Sequence, residues 1–355
     1  MNSDDKRTRD DDDDASERSA KRQTTTDPLA LLRTETADAV YEGGYARDLA
    51  ELIASYAIPE VRVTQRHHKN PEGMAVRAMT SDGSRGIGCF DDQKICILQF
   101  SANTTNYCCE RYVRESHLWS GCVAFSADGQ YFATGSCNRS VCVWRSSDGM
   151  LLHRFVSHTN TVWCVAFSPN GQFMASGTLD GNVHVYSMPS ARCVLTLQGH
   201  MRAIHAVVFT PDGRSVISTS EDKSVRVWSL LDGQCVRTFD GHSDSVYDVA
   251  VTPDGQYVIS GFEDGDVRVW SLLDGSLVYV LKGHSKEVIS VTVSHDGLYA
   301  VSGSSDSTVR VWRLVDGRCV FKMAFREYHH LPVVFTTRDR ITCAIRDCLT
   351  TLHIT

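Results

Sequence analysis

The sequence predicts an all-β protein in which one four-stranded unit is repeated, and three observations lead to this prediction. A turn glycine recurs every 42 residues, at Gly129, Gly171, Gly213, Gly255 and Gly297. Two further columns keep the same step, one nine residues after the glycine and one six residues beyond that. Between the columns, short runs rich in β-branched residues alternate with Gly, Asp and Pro turns, which is typical of strands. Four strands in roughly 40–45 residues make one blade of a β-propeller.

The two further columns have a constant chemical character. The first is acidic or an amide and the second is aromatic; their members are Asn138, Asp180, Asp222, Asp264 and Asp306, then Trp144, Tyr186, Trp228, Trp270 and Trp312. Three columns that stay in register over five copies indicate a true structural repeat.

Two divergent copies extend the repeat in both directions. Before it, Gly83 is followed nine residues later by Asp92, with a longer gap of 46 residues to Gly129. After it, Phe335 lies one step of 42 beyond Val293, although Asp339 stands where the turn glycine belongs. The seven copies predict a seven-bladed β-propeller over residues 59–355.

The last copy ends at Thr355, directly after its third strand. The segment "EVRVTQR" ahead of the first copy alternates apolar and polar residues, so it can supply the missing fourth strand. We therefore expect residues 61–66 to pair with the last copy, which would close the ring and remove an exposed strand edge.

The copies resemble WD40 repeats, because a Gly-His pair stands near the start of several copies and Val-x-Val-Trp at the end of the third strand. The literal Trp-Asp pair of that family is absent, as in "VWSLL" and "VWRLV". The resemblance implies a hydrogen-bonded tetrad of His, Ser or Thr, Asp and Trp inside each blade. The complete sets are His200, Ser218, Asp222, Trp228; His242, Ser260, Asp264, Trp270; and His284, Ser302, Asp306, Trp312.

Two other sets are altered and should be weaker. Tyr186 replaces Trp in the set with His158, Ser176 and Asp180. In the set of His117, Thr134 and Trp144, the Asp position holds Asn138.

A recurring His, Ser and Asp also suggest a hydrolase triad, which needs one such constellation at a cleft. Here the trio recurs at a fixed step, so we interpret it as structural and expect no enzymatic activity. The glycines belong to turns between strands, and none forms a phosphate-binding loop, so no cofactor is predicted. The cysteines show no C-x-x-C spacing, so no metal site is predicted.

Composition excludes several classes of function. The chain of 355 residues is 42% hydrophobic and 22% charged, which is typical of a soluble globular protein. The net charge is −7 and the basic residues are scattered, so nucleic acid is not expected as the main partner. No apolar run reaches the roughly 18 residues of a membrane helix, and no membrane insertion is expected. Thirteen cysteines without a signal peptide favour a reducing compartment and free thiols.

The N-terminal region has a different character. Residues 1–26 carry almost only charged and small polar side chains, which predicts a disordered tail. Residues 27–58 predict a short helical segment, in which Leu49, Leu52, Ile53 and Tyr56 share one apolar face ahead of Pro59. The basic pairs at 6–7 and 21–22 also fit a split nuclear-import signal, so the expected location is cytoplasmic with nuclear entry open.

The resemblance implies that partners bind at the narrow top opening of the ring. Its columns hold aromatic and acidic side chains, which suit a peptide presenting Arg or Lys. The alternative is that Trp163 and Tyr247 pack against neighbouring blades. The predicted partner-binding residues are Trp119, Trp163, His205, Tyr247, Glu221, Glu263 and Glu287.

The sequence leaves two candidate functions, which belong to different classes. The first is a non-catalytic scaffold that binds partner proteins through peptides on the top face and assembles a complex. The second is a substrate receptor of a ubiquitin ligase, in which residues 27–58 dock to the ligase. No copy carries the Trp-Asp-x-Arg that family members use to dock to one ligase adaptor, which favours the scaffold. The sequence does not identify the partner, the pathway or the oligomeric state.

Overall fold

The computed structural model describes residues 63–69, 74–80, 83–90, 94–100, 107–114, 119–239, 244–325, 333–337, 340–345 and 348–354. All of them belong to the second of two compact units, Asp48–Thr355, and the first unit, Met1–Arg47, lies outside these ranges. The predicted tail and the predicted helical segment also lie outside them and stay predictions. Within the described ranges every regular element is a strand, and no helix there could cross a membrane.

Six blades are each built from four strands that follow one another in the chain, paired antiparallel with the first strand innermost. Strands are numbered in chain order, and β1 belongs to the sheet described below. Blades 1 to 3 consist of β2 (Met74–Met79), β3 (Arg85–Phe90), β4 (Lys94–Phe100), β5 (Tyr107–Arg114); β6 (Trp119–Phe125), β7 (Tyr131–Ser136), β8 (Val141–Arg145), β9 (Leu151–Phe155); and β10 (Val162–Phe167), β11 (Phe173–Thr178), β12 (Val183–Ser187), β13 (Arg192–Leu197). Blades 4 to 6 consist of β14 (Ile204–Phe209), β15 (Ser215–Ser220), β16 (Val225–Ser229), β17 (Cys235–Phe239); β18 (Val246–Val251), β19 (Tyr257–Phe262), β20 (Val267–Ser271), β21 (Leu277–Leu281); and β22 (Val288–Val293), β23 (Tyr299–Ser304), β24 (Thr308–Arg313), β25 (Arg318–Ala324).

The prediction of seven blades is corrected here: six blades are built from consecutive strands, and the last copy forms no blade of its own. It supplies only three strands, β26 (Val333–Thr337), β27 (Arg340–Ile345) and β28 (Cys348–Ile354). The predicted N-terminal strand completes this composite sheet, since β1 (Val63–Lys69) pairs antiparallel with β28 from Val63 opposite Ile354 to Lys69 opposite Cys348. We call it the closing sheet. It pairs the first described strand with the last, and β2 of blade 1 contacts both β26 and β27.

The hydrophobic core lies between the blades rather than inside any one of them. One cluster joins Val185 of blade 3 to Val207 and Trp228 of blade 4, and the next joins Ile217 of blade 4 to Val249 of blade 5. Because alternate residues of a strand face opposite sides of its sheet, each blade buries one set against the preceding blade and the other against the following blade.

Blades 4 and 6 contain the complete tetrads that the sequence predicts. In blade 4, Trp228 Nε1 donates to Ser218 Oγ at 2.8 Å, which lies 2.8 Å from His200 Nε2, and His200 Nδ1 lies 2.9 Å from Asp222 Oδ2. Because the serine oxygen accepts from the indole, its own hydrogen is free to go to His Nε2, and His Nδ1–H then donates to the carboxylate.

Blade 6 repeats the arrangement with nearly the same distances. Trp312 donates to Ser302 at 2.8 Å, Ser302 lies 2.7 Å from His284 Nε2, and His284 Nδ1 lies 3.1 Å from Asp306 Oδ2. Burial acts to raise the pKa of Asp306, but the hydrogen bond from Thr308, the Ser285 amide and the adjacent His284 outweigh it and lower that pKa to about 2. In blade 4, burial is likewise outweighed by the hydrogen bonds from His200 and Ser224, which lower the pKa of Asp222, so both tetrads keep an ionised carboxylate at neutral pH.

Blade 5 has the indole part of the tetrad, with Trp270 Nε1 donating to Ser260 Oγ at 3.0 Å. Its His242 lies outside the described residues. Asp264 forms an ion pair with Arg268 at 2.7 Å. In blade 2, Trp144 donates to Thr134 at 3.0 Å.

Blade 3 has His, Ser and Asp of the pattern but arranges them differently. His158 Nε2 lies 2.8 Å from Ser176 Oγ and 2.9 Å from the Tyr186 hydroxyl, while its Nδ1 is buried without a hydrogen bond. Asp180 does not satisfy that nitrogen, because its carboxylate is held by the hydroxyls of neighbouring threonines. A second imidazole, His184, packs edge-on against His158 with ring centroids 4.8 Å apart.

Burial lowers the pKa of both imidazoles in blade 3. Burial and the neighbouring His184 bring the pKa of His158 to about 4, and burial also lowers that of His184. Both rings are therefore neutral at pH 7. At the equivalent positions of blades 4 and 6, an arginine covers the tryptophan instead, with Arg226 5.9 Å from the ring of Trp228.

The expectation of free thiols is wrong at one place. A disulfide joins Cys96 of β4 to Cys109 of β5, with the two Cα atoms 5.9 Å apart. A register shift between Ile97 and Leu98 brings the two side chains together across the strand pair. The two cysteines are 13 residues apart, and the sequence alone does not reveal that bulge.

We expect Ser302→Ala to lower the free energy of unfolding by about 3 kcal/mol, because Trp312 Nε1 and His284 Nε2 would both lose a buried partner. Urea denaturation followed by tryptophan fluorescence measures this change. As a control, Ser147→Ala removes an exposed hydroxyl and should change stability by less than about 0.5 kcal/mol. A loss below about 1 kcal/mol for Ser302→Ala would show that the tetrad is not a stabilising unit.

The histidines of blade 3 predict an acid-sensitive stability. A histidine whose pKa is lower in the folded state than its unfolded value of about 6.5 favours folding while neutral, and this contribution is lost as pH falls from about 6.5 towards 4. Between pH 7.5 and 4.5 we expect the wild type to lose about 2 kcal/mol relative to His158→Gln, which cannot titrate.

Urea denaturation of both proteins at the two pH values gives this difference. Comparing the proteins removes the contributions of other groups, such as Asp248, whose raised pKa acts in the opposite direction in the same range. The control is His295→Gln, which replaces an exposed imidazole. If the free energy of unfolding changes equally with pH in the wild type and in His158→Gln, His158 is not the source of the acid sensitivity.

Candidate functional site

The top end of the ring is formed by the starts of the inner strands and by the turns between the second and third strands. In four blades the same hydrogen bond joins them: the residue before the turn Asp donates its backbone N–H to a carbonyl just ahead of the inner strand. The pairs are Leu179 with Thr161, Glu221 with Ala203, Glu263 with Ser245, and Ser305 with Glu287, at 3.0–3.1 Å. The two sequence columns therefore meet at one surface, which we call the top face.

An arc of side chains follows the inner strands across the top face. Trp163, His205, Tyr247 and Ile289 occupy the same position in blades 3, 4, 5 and 6. Trp163 is 45% exposed, so packing accounts for only part of its surface. His205 and Tyr247 are half-buried and contact each other, with ring centroids 5.0 Å apart. Tyr247 therefore packs in part against a neighbouring blade, as the predicted alternative has it.

Carboxylates surround this aromatic pair. Glu221 and Glu263 are exposed and Glu287 is half-buried. Burial raises the pKa of Tyr247, and the negative charges of Glu263, Glu287, Asp244 and Glu221 raise it further.

Two basic side chains also reach this surface. Arg202 donates to Glu221 at 3.2 Å, with both side chains largely exposed, and Lys223 lies 3.7 Å from Asp244. Exposed ion pairs of this kind contribute only about 0–1 kcal/mol, so a ligand cation can replace them at little cost. A third cation, the exposed Lys286, occupies in blade 6 the position of Arg202, so three cations face four carboxylates and the area around Tyr247 keeps a net negative charge.

His205 is uncharged at neutral pH. Burial lowers its pKa, and this effect outweighs the opposing charges of Glu221 and Glu263. The pair of His205 and Tyr247 therefore presents neutral aromatic faces, and the negative charge comes from the glutamates around it.

Asp248 lies next to Tyr247 in β18 and was not predicted as a site residue. Its carboxylate accepts hydrogen bonds from the backbone N–H of Val249 at 2.9 Å and of Val291 in blade 6 at 2.8 Å. Burial raises the pKa of Asp248 to about 6 despite these bonds. It links two inner strands directly beneath the aromatic arc. The only signal in the sequence is a carboxylate in a column that otherwise reads Cys122, Cys164, Ala206 and Ser290.

The remaining predicted top-face residues are only partly placed. Trp119 begins β6, with its backbone opposite Ser136, but its side chain is not among those described. Trp163 lies one blade before His205. The structure thus gathers His205, Tyr247, Glu221, Glu263 and Glu287 into one cluster over blades 4 to 6.

Nothing in this cluster resembles a metal or hydrolase site. Among the described side chains, no group of three or more His, Cys, Asp or Glu has the arrangement needed to hold a metal ion. The serines of the tetrads, Ser218, Ser260 and Ser302, have no exposed surface, so a substrate cannot reach their hydroxyls in this conformation.

Comparison with known proteins agrees with this architecture. The family model described as "WD domain, G-beta repeat" matches residues 110–145, 149–187, 191–229, 233–271 and 275–313. Each later match runs from the outer strand of one blade through the first three strands of the next. No curated protein matches the chain. Because the repeat model matches more than half of the sequence, the chain belongs to the WD40 repeat family.

Proposed function

We propose that this protein is a non-catalytic interaction scaffold that binds a peptide presenting Arg or Lys on its top face and so assembles a protein complex. WD40 propellers are typical protein-interaction scaffolds. The observation that carries the peptide chemistry is the contact of His205 with Tyr247 inside a set of four carboxylates. A cytoplasmic site of action is part of the same proposal.

The aromatic faces would supply most of the affinity. A guanidinium or ammonium group over a tyrosine or tryptophan face gains about 0.5–2 kcal/mol, with the larger value when water is excluded. Trp163 offers an exposed face beside the pair, which gives an extended peptide a second place to pack.

The glutamates would mainly select the ligand and speed its approach. Charges at the rim of an interface affect the association rate and the choice of partner more than the final affinity. Glu221 and Glu263 are exposed and project from equivalent turns of blades 4 and 5, so they suit two cations along a peptide, or one cation approached from both sides.

Several observations support a binding function over catalysis. The one recurring nucleophile, the tetrad serine, is fully buried and already hydrogen-bonded to an indole and an imidazole in blades 4 and 6. The alternative of a ubiquitin ligase receptor depends on residues 27–58, which lie outside the described residues, and no described feature favours it.

We expect fluorescent nonapeptides with a central Arg or Lys and randomised flanks to bind the full-length protein, and matched pools with Gln or Glu to bind at least tenfold more weakly. Tyr247→Leu should weaken the binding of the Arg pool at least tenfold because it removes the π face, while Tyr247→Phe should retain most of it. Fluorescence anisotropy gives the dissociation constants.

Two further variants make this test specific. Glu263→Gln should weaken binding about threefold and reduce its dependence on salt, because it removes a rim charge. Gln130→Ala, at the opposite end of the ring, should have no effect. If the Gln pool binds as tightly as the Arg pool, or if Tyr247→Leu binds like the wild type, the proposed ligand chemistry is wrong.

A further inference from the structure

Two leucines are almost fully exposed at the end of the ring opposite the top face. Leu231 and Leu273 are 94% and 87% exposed, and each lies in the turn between the third and fourth strands of its blade. Both turns read "SLLDG", in blades 4 and 5. The equivalent residues of the other copies are Ser147, Pro189 and Val315.

The geometry of these turns does not require a leucine. In blade 4, the Gly233 amide donates to the Ser229 carbonyl at 2.9 Å, and Gly233 has a φ of 73° that favours glycine. Asp232 accepts from the Gln234 amide at 3.2 Å. Leu230 packs partly against the core, but Leu231 points away from it and contributes only its backbone N–H to the turn. A polar residue such as the serine of blade 2 satisfies the same turn.

The hairpins that carry the two leucines border one groove between blades 4 and 5. It is lined by Val227 and Val236, which precede and follow the turn of Leu231, and by Leu272, the neighbour of Leu273. Arg237 of β17 donates to the Leu273 carbonyl at 2.7 Å, which holds the turn of blade 5 against the outer strand of blade 4. Val236, its neighbour in that strand, is 57% exposed. The groove has a volume of about 310 Å³ and is lined in part by Pro211, Val236 and Leu272. Leu231, Val236 and Leu273 are thus exposed apolar side chains that lie on or next to segments lining one groove, which distinguishes them from scattered single exposed residues.

Carboxylates surround the strip. Asp212 and Asp254 line the groove, and Asp232 and Asp274 directly follow the two leucines. Hydrogen bonds from Ser271 and Ser276 lower the pKa of Asp274 to about 2, and similar bonds from Ser229 and the Gln234 amide lower that of Asp232.

Two guanidinium groups oppose these charges. Arg214 follows the turn of Asp212, and Arg237 is engaged with the Leu273 carbonyl. Four carboxylates against two guanidinium groups leave the surroundings of the groove negative. A basic ligand with apolar side chains complements such a surface, and an acidic one does not.

We propose that the groove between blades 4 and 5, lined by Val236 and Leu272 and bordered by the turns of Leu231 and Leu273, is a second docking site, which binds an amphipathic peptide of a partner protein with apolar anchors flanked by Lys or Arg. It lies at the opposite end of the ring from the top face. Its chemistry also differs, because its exposed anchors are aliphatic, whereas those of the top face are aromatic. A scaffold with both sites could hold two partners at once.

A library of random dodecapeptides displayed on phage, panned on the full-length protein, tests this proposal. Enriched peptides are synthesised, and their affinities for four proteins are measured by fluorescence anisotropy: wild type, Leu231→Ser/Leu273→Ser, Met201→Ser and Tyr247→Leu. Met201 is 89% exposed but lies outside the groove, which makes it a matched control. Both leucines are exposed, so the double variant is expected to fold, and its urea midpoint checks this.

We expect a class of peptides with Leu, Ile, Met or Phe next to Lys or Arg that binds the double variant at least tenfold more weakly than the other three proteins. Three outcomes would overturn the proposal. They are the absence of any peptide that depends on the two leucines, an acidic consensus, or a wild-type dimer in sedimentation velocity that the double variant loses, which would assign the groove to a second copy of the chain. A peptide that binds more weakly to Tyr247→Leu alone is assigned to the top face and does not count as a ligand of the groove.

Discussion

The ring depends on one constraint: no blade can bury both of its faces without a neighbour on each side. The side chains of Val185 and Trp228, and likewise those of Ile217 and Trp270, meet across the space between two blades. A ring left open would expose two such apolar faces and a strand edge. Pairing β1 with β28 removes this cost, because the closing sheet then ties the first described strand to the last. The main-chain bonds of that sheet need no tetrad, which explains how a divergent last copy can still complete the ring.

The tetrads add a second, local level of order to each blade. Where the set is complete, as in blades 4 and 6, one serine hydroxyl satisfies an indole and an imidazole, and the imidazole anchors the following turn through an Asp. Blade 3 shows what changes when the set is altered. Tyr186 still reaches His158, but Asp180 binds threonines, His184 replaces the covering arginine, and two imidazole nitrogens remain buried without partners. The edge-to-face contact of the two rings and burial between the neighbouring blades let this blade persist, at the cost of sensitivity to acid.

Periodicity predicted the features that repeat, and it missed those that occur once. The strand order, the tetrad members and the columns that meet at the top face all follow from positions 42 residues apart, because equal spacing places residues at equal points of successive blades. The register shift between the third and fourth strands recurs in all six blades, but only blade 1 has cysteines at both of the positions that it brings together, Cys96 and Cys109. The half-buried carboxylate of Asp248 depends on one neighbouring strand, and the exposed Leu231 on one residue of a turn that takes other side chains in other blades. The number of blades built from consecutive strands was also overestimated, since the last copy needs β1, a strand that precedes the first copy.

The two proposed binding surfaces lie over the most regular part of the ring, and this placement has a physical reason. A peptide gains affinity when the groups that it contacts are already held in position, because less ordering is needed on binding. Tyr247 stands on β18, which Asp248 links to blade 6, while the groove below is fixed by Arg237 across blades 4 and 5. Intact indole contacts in blades 4, 5 and 6 support both surfaces. The altered blade 3 carries only Trp163 at the margin of the arc, so its lower local order affects the second contact of a peptide rather than its anchor.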